Sequence, residues 1–418
     1  MMKNLSIVFL LLMVPLALFA TGAQDESGPV TLRYASFSAG EDNAATQQAM
    51  IDAFQEANPG IIIENEITGY GEHFTQLVTK IASGDAPDTF ELNMENFLAY
   101  AIRGAVKPID DIAADAGINL KETYAAGVLD ACSYNGQTYA IPQMFSTVLL
   151  IYNKDLFDAA GASYPQEDWT WKESLEASKK IADPENDIWG TFNPVQFWEF
   201  YKVTQQNGGG VMTPDGSKFT INSPQNLETL QYMVDRIQKH HVMPSDTELA
   251  GRGDWDLFVD GKLAMISTGV WAFTDFANRC EFPWSVEVEP GNTKKATHFF
   301  ANVSCLSRDT TNDMEAVKFL NFIASDPLSV QMRLDAQWEL PTIKDASLMK
   351  QYLAITPPDN KIAVFNSLEY AVKPPALEQF QELVEILNPR LEQVRLGMLE
   401  PKEALDAAQK EAEAKIKL

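Results

Sequence analysis

The chain holds four histidines, His73, His240, His241 and His298. Neighbouring residues on a helix diverge by roughly 100°, so His240 and His241 do not form the i, i+4 pair that shares a metal ion. His73 and His298 stand alone and read as surface or loop side chains. No Gly-x-Ser-x-Gly elbow, His-Glu-x-x-His helix or Cys-x-x-Cys occurs; each would set a nucleophile or a metal ligand at a defined geometry. Gly208-Gly-Gly210 lacks the Lys-Ser/Thr of a phosphate loop and reads as a turn. With 58 Asp and Glu, two carboxylates facing across a scissile glycosidic bond could arise by chance, but no spacing marks such a pair. The expectation is no catalytic residue, no metal and no cofactor. Cys132, Cys280 and Cys305 are an odd number; Cys280 and Cys305 could bridge, or all three could be small buried side chains.

Charge narrows the partners. Thirty-two basic against 58 acidic residues give a formal −26, which repels phosphates and excludes nucleic acid and anionic lipid. Lys3, the apolar run Leu5–Ala20 and the small residues up to Ala23 read as a secretory signal peptide over 1–23. A sixteen-residue run falls short of the ~20 that a spanning helix needs. Removing residues 1–20 takes one positive charge and no acid, leaving −27. With no cysteine near the cleavage region for lipid attachment, the mature protein is expected free in a periplasm, as a monomer.

The elements that must position any site alternate at first. Val30–Phe37 is predicted a strand, Ala45–Ala57 a helix stopped by Asn58-Pro-Gly60, Ile61–Ile67 a strand and Glu72–Ser83 a helix. Asp88–Leu92 is a third strand, and Asn96–Arg103 a helix. This alternation predicts a parallel sheet covered by helices. Further on, Gly136–Pro142 and Thr147–Tyr152 read as strands, Trp171–Ile181, Phe197–Gln206 and Pro224–His240 as helices, and Lys262–Ser267 as a strand. Residues 284–306 read as strands. Asn312 and Glu315 have the spacing of a capping box. Pro374–Leu396 is predicted helical with a break at Pro389, and Pro401–Ile416 helical. At 418 residues, against about 100–200 per domain, two lobes are expected.

Several segments, in order, resemble the bacterial extracellular solute-binding proteins that serve ABC importers, in the maltose and multiple-sugar branch (family 1). They are Phe54-Gln-Glu-Ala-Asn-Pro-Gly60, Ala82-Ser-Gly-Asp-Ala-Pro-Asp88, Gly136-Gln-Thr-Tyr-Ala-Ile-Pro142 with Leu150-Ile-Tyr-Asn-Lys-Asp-Leu-Phe157, Phe258-Val-Asp-Gly-Lys-Leu-Ala-Met265 with Gly269-Val-Trp271, and Glu315-Ala-Val-Lys-Phe-Leu320 before Leu340-Pro-Thr342. The resemblance implies a two-lobed α/β periplasmic-binding-protein fold with three interlobe crossings (type II, maltose-binding-like). It places crossings near Ser146, Phe300–Ser304 and Trp338–Pro341. Lobe 1 would be 24–145 plus 302–338, and lobe 2 would be 146–301 plus 339–418. The implied function is capture of a mono- or oligosaccharide between the lobes and delivery to membrane permease subunits, which leaves ATP hydrolysis to a partner subunit. A polyamine or another small solute is the alternative within binding proteins; a secreted glycoside-acting enzyme is the alternative outside them.

A pyranose offers apolar C–H faces to aromatic rings, and its hydroxyls need partners once desolvated. The resemblance carries a stacking role onto Trp271, which follows Gly269 in a Gly-x-Trp turn, and onto Trp198, with Gln196 for hydroxyls. Asn93 and Glu95 match a segment of polar contacts. Phe37, Ser38 and Tyr70 lie in loops after the first two strands, where open α/β sheets place ligands. Ser146 stands where related maltose binders carry a carboxylate, which argues against maltodextrin itself. Phe299-Phe300 replaces glycines common in relatives and is expected to narrow the cleft or add a stacking face. Trp338, at the third crossing, is expected to line the cleft or brace the hinge. Trp169 and Trp171 read as packing residues.

Overall fold

The computed structural model describes residues 28–124, 126–343, 346–375 and 377–418. The leader expected over 1–23 lies outside them. Eleven strands are present among the described residues: β1 Val30–Ser36, β2 Ile61–Ile67, β3 Thr89–Asn93, β4 Ser133–Tyr134, β5 Gln137–Thr138, β6 Ala140–Asn153, β7 Met265–Gly269, β8 Trp284–Glu287, β9 Thr297–Leu306, β10 Leu340–Pro341 and β11 Ala371–Val372. Helices α1 (Ala44–Ala57), α2 (Tyr70–Ser83) and α3 (Met94–Ile102) connect the first three strands and pack against them. The first unit has the expected parallel arrangement, with β1 between β2 and β3, and the two-residue β11 is the other parallel partner, on β9. β3 meets β9 antiparallel, and β6 is antiparallel to β7, β8, β9 and β10. The alternation ends after α3, so the rule linking it to parallel strands no longer applies.

Two long strands organise the molecule. β6 pairs through Ala140–Thr147 with β9, and through Val148–Asn153 with β7 and β8. The strand signal at 136–142 divides between β5 and the start of β6, and the signal at 147–152 belongs to that same β6 from Ala140 to Asn153, with a register shift between Pro142 and Met144. Pro142 lacks an N–H, which suits an irregular position in the ladder. β9 joins β3 through Leu306–Asn302 and β11 through Thr297–His298. The third connection is the short β10, which pairs with Met144 and Phe145.

Separate apolar cores lie on either side of these connections. One gathers Leu32, Ile51, Phe54, Phe319 and Ile323; another gathers Phe197, Phe200, Leu230, Leu383, Leu387 and Leu405. Trp171 stacks on Tyr232 with centroids 4.1 Å apart, as a packing residue should. The helix Phe380–Arg395 runs through Pro389 without interruption. Tertiary packing of Leu383, Ile386, Leu387 and Leu391 offsets the lost N–H there. Asn312 precedes the helix Asp313–Ser325 but makes no side-chain cap. Capping boxes form instead at Thr170/Glu173 and Ser245/Glu248. Cys132, Cys280 and Cys305 are all free, so no Cys280–Cys305 bridge exists.

Lys202 is buried between Glu199 and Glu289, at 2.9 and 2.5 Å, and Glu289 also accepts from Thr297 at 2.9 Å. Burial alone would push the ammonium down, but the two carboxylates outweigh it and hold it up. Removing one member leaves buried charge uncompensated. Lys202→Met is expected to cost about 3–5 kcal/mol of unfolding free energy in urea at neutral pH. An unchanged midpoint would show that water reaches the cluster.

Candidate functional site

The loop after β1 is built around a buried acid. Glu91 of β3 accepts from the Tyr34 hydroxyl (2.8 Å), the Phe37 and Ser38 N–H groups (2.9 Å each) and the Ser38 hydroxyl (2.8 Å). Gln143 on β6 extends the chain, donating to the Tyr34 oxygen and accepting from Ser304 on β9. The polar atoms of Ser38 are thus committed inside the protein. Phe37 is buried as well, with its ring 5.4 Å from Tyr70, 5.0 Å from His73 and 5.5 Å from Phe74.

Asn93 ends β3, and Glu95 lies in the first turn of α3. Asn93 donates to the Tyr70 oxygen at 3.1 Å. Glu95 is half-buried, and its Oε2 has no hydrogen-bond partner. Desolvation pushes its pKa up to about 8, with its own backbone N–H opposing the shift. Its charge also raises the phenols of Tyr70 and, in the other lobe, Tyr201. Burial is the larger cause for both. Glu95 therefore stands between the two halves with no counter-charge acting on it. Ser146 of β6 is fully buried, pairs in register with Phe300, and its hydroxyl is also without a partner.

The second half contributes aromatic rings. Trp198, the second residue of the helix Phe197–Gln206, lies 5.6 Å from Phe300, 5.5 Å from Phe380 and 6.3 Å from Tyr201. Trp271 lies 5.6 Å from the same Phe300. Both indoles are partly exposed. Phe300 thus lies between the two indoles, edge-on to Trp198 and tilted against Trp271. Gly269 explains the Gly-x-Trp turn: a Cβ there would stand 2.1 Å from the Trp271 ring. His298, two residues before Phe300 on β9, bonds the Tyr201 hydroxyl at 2.8 Å. Burial first, and Lys202 second, press its pKa well below the usual imidazole value, so it is neutral.

The structure thus brings Trp198, Trp271, Ser146, Asn93, Glu95 and Tyr70 to the junction of the halves. Four expected residues do not join them: Phe37 is buried, Ser38 spends its polar atoms on Glu91 and Trp338, and Gln196 and Trp338 point elsewhere. Gln196 is exposed and lines a recess with Ile237, Met243 and Asn388. Gln196 precedes the helix as its N-cap in extended backbone and faces that recess, while Trp198, inside the helix, faces Phe300. Trp338 is core: it is 1% exposed, packs with Ala39, Met50 and Met144, lies under Arg333 at 4.1 Å, and donates to the Ser38 carbonyl. That supports bracing rather than lining. His73 and His298, read as surface or loop residues, are both buried; His73 bonds the Glu91 carbonyl. Sequence reasoning missed Tyr201 and His298, each 1% exposed, as the buried layer behind Trp198 and Phe300. Their spacing could have found them, since Tyr201 is i+3 from Trp198 on one helix and His298 is i−2 from Phe300 on one strand. Phe380 had no such local signal. Among the described residues no group of His, Cys, Asp and Glu could hold a metal, and no helix is long and apolar enough to cross a membrane.

The family description "bacterial extracellular solute-binding protein" matches residues 38–327. An ABC substrate-binding protein from Listeria monocytogenes, solved in complex with cycloalternan, is 39% identical, with TM-score 0.88 over 92% of this chain and 98% of that one. The maltose/maltodextrin-binding domain of Bdellovibrio bacteriovorus, bound to maltotriose, is 18% identical with TM-score 0.78 over 92% and 99%. An arabinooligosaccharide-binding protein of Bacillus subtilis is 24% identical over 255 residues, 58% of this chain and 57% of that protein. These likenesses give the architecture: two α/β lobes with three crossings, the type II, maltose-binding-like arrangement.

A carboxyl whose pKa is raised on folding holds its proton where the unfolded chain has lost it, so its contribution to stability fades as pH rises from about 4.5 to about 8. Glu95→Gln removes that term. The variant should match wild type in urea unfolding near pH 4 and exceed it by about 4 kcal/mol at pH 8. Parallel curves across that range would mean that Glu95 is solvated.

Proposed function

We propose that this chain, which belongs to the bacterial extracellular solute-binding proteins, is the extracytoplasmic carbohydrate-binding component of an ABC importer. It captures an oligosaccharide between its lobes, releases it unaltered to membrane permease subunits, and does no chemistry on it. Lobe 1 is 24–145 plus 302–338, and lobe 2 is 146–301 plus 339–418. The mature protein is a periplasmic monomer once residues 1–23 are removed.

The observation that carries this reading is the pair of indoles, Trp198 and Trp271, flanking Phe300 in one lobe, with the unpartnered Glu95 carboxyl entering from the other. Two separate flat platforms suit the C–H faces of successive sugar rings, and an unpartnered buried acid suits a hydroxyl. Each indole lies 5.6 Å from Phe300, so one aromatic cluster carries both rings. Relatives that bind cycloalternan, maltotriose and arabino-oligosaccharides support the same ligand class. Closure follows from differential affinity: a ligand touching both lobes binds the closed form better and shifts the population towards it. The unpaired Glu95 is the feature that favours a polyamine instead. Its raised pKa leaves it mainly uncharged near neutrality, which suits a neutral ligand.

Cycloalternan, maltotriose and spermidine, each added at high excess, should separate the two ligand classes by thermal shift. A saccharide at 100 times its Kd adds about 2.7 kcal/mol of stability and should perturb Trp fluorescence; a response to spermidine alone would overturn the carbohydrate reading. Trp271→Ala should weaken saccharide binding by about 1–3 kcal/mol with little change in Tm. Gly269→Ala, which must displace the indole, should lose affinity in the same direction. A Gly269→Ala protein with wild-type affinity would show that Trp271 is no platform.

A further inference from the structure

One chain of amides crosses from lobe to lobe. Gln381, at the start of the helix Phe380–Arg395, donates through Nε2 to Asn96 Oδ1 on α3 at 3.0 Å. Asn96 Nδ2 donates to Asn93 Oδ1 at 2.7 Å, and Asn93 Nδ2 donates to the Tyr70 oxygen at 3.1 Å. The helix bearing Gln381 belongs to the core of Phe197 and Leu387, whereas α3 packs Phe97 and Ala101 with Phe90 and Cys305. We propose that Gln381 is a positioning residue that sets, through Asn96 and Asn93, which hydrogen-bonding role Tyr70 offers to a ligand. This rests on the saccharide-binding reading above.

The argument is one of donor and acceptor polarity. A side-chain amide has one accepting end and one donating end, and turning it over exchanges them. In this arrangement Gln381 donates, and Asn96 presents its oxygen to the second lobe and its NH2 to Asn93. Asn93 must then present its oxygen to Asn96 and its NH2 to Tyr70. A phenol oxygen that accepts keeps its own hydrogen free. Tyr70 is 48% exposed, whereas Asn93 and Asn96 are 4% and 7% exposed. The two buried amides are therefore shielded from water that would scramble their orientation, and the phenol hydrogen is available at the junction. The ligand class that fits is one offering an acceptor at that point, a ring, glycosidic or hydroxyl oxygen. The first amide lies in the other lobe, so the relay crosses the junction.

Gln381→Glu tests the relay against a mere clasp. A carboxylate cannot donate; it draws the Asn96 NH2 to itself, turns both asparagines over, and obliges Tyr70 to spend its hydrogen on Asn93. A simple clasp would survive, since the carboxylate still bonds Asn96. With cycloalternan as the calorimetric probe, Gln381→Glu should bind about tenfold more weakly and Gln381→Ala about threefold. Tyr70→Phe should cost about tenfold in the wild type and less than twofold in the Gln381→Glu background. Wild-type affinity in Gln381→Glu, or additive losses in the double variant, overturns the relay. The ligand-free proteins decide it independently: the Asn93 side-chain amide resonances should move in Gln381→Glu, and unmoved resonances overturn it. Should wild type take up no saccharide, the functional reading falls while the amide resonances still judge the relay.

Discussion

The β6–β9 ladder is the constraint that the rest of the molecule obeys. Both strands are longer than one lobe requires, and each exchanges partners along its length: β6 from β9 to β7 and β8, and β9 from β11 to β3. Every buried N–H and C=O along them needs a partner, so the two lobes share a hydrogen-bonded seam. Relative motion is left to bending at the few residues where partners change. Ser146, Phe299, Phe300 and Asn302 stand at those residues, which is why residues at the seam are also residues of the site.

Two acids only four positions apart serve opposite ends. Glu91 is fully enclosed and accepts four hydrogen bonds that hold the loop after β1. Glu95 lies one helical turn further on, with Oε2 unpaired. A carboxylate satisfied by backbone N–H groups is architecture; one left unsatisfied between two lobes costs free energy until something donates to it. The second lobe repeats the contrast. The Lys202 cluster satisfies its charges internally, while Trp198 and Trp271 keep part of their area open. Structural groups and those of the candidate site thus differ in whether their valences are filled, and only weakly in residue type.

Much of the site was legible because its members sit at local landmarks. Trp271 follows a glycine that its own ring requires, Asn93 and Glu95 follow a short buried strand, and Trp198 opens an amphipathic helix. Gln196 failed because proximity in sequence was read as proximity in space, and two residues at a helix start point to opposite sides. Trp338 carried a large ring at a crossing, which fits a brace and a platform equally; only its burial against Met144 and Arg333 separated the two. His298 was passed over because a lone histidine in a strand carries no local mark of burial.

Composition and pattern alone determined the acidic character of the chain, the alternation of its first three strands and helices, and the absence of any familiar catalytic spacing. These depend on residue type, on periods of two and about 3.6, and on short-range sterics, all of which are local. The tertiary structure decided what depends on residues far apart in the chain. It fused part of one strand signal with the next into one long β6, joined Phe380 to Trp198 and Gln381 to Asn96, and carried one helix through Pro389. Such outcomes follow from burial and pairing across more than a hundred positions, where the gain in packing outweighs local preference.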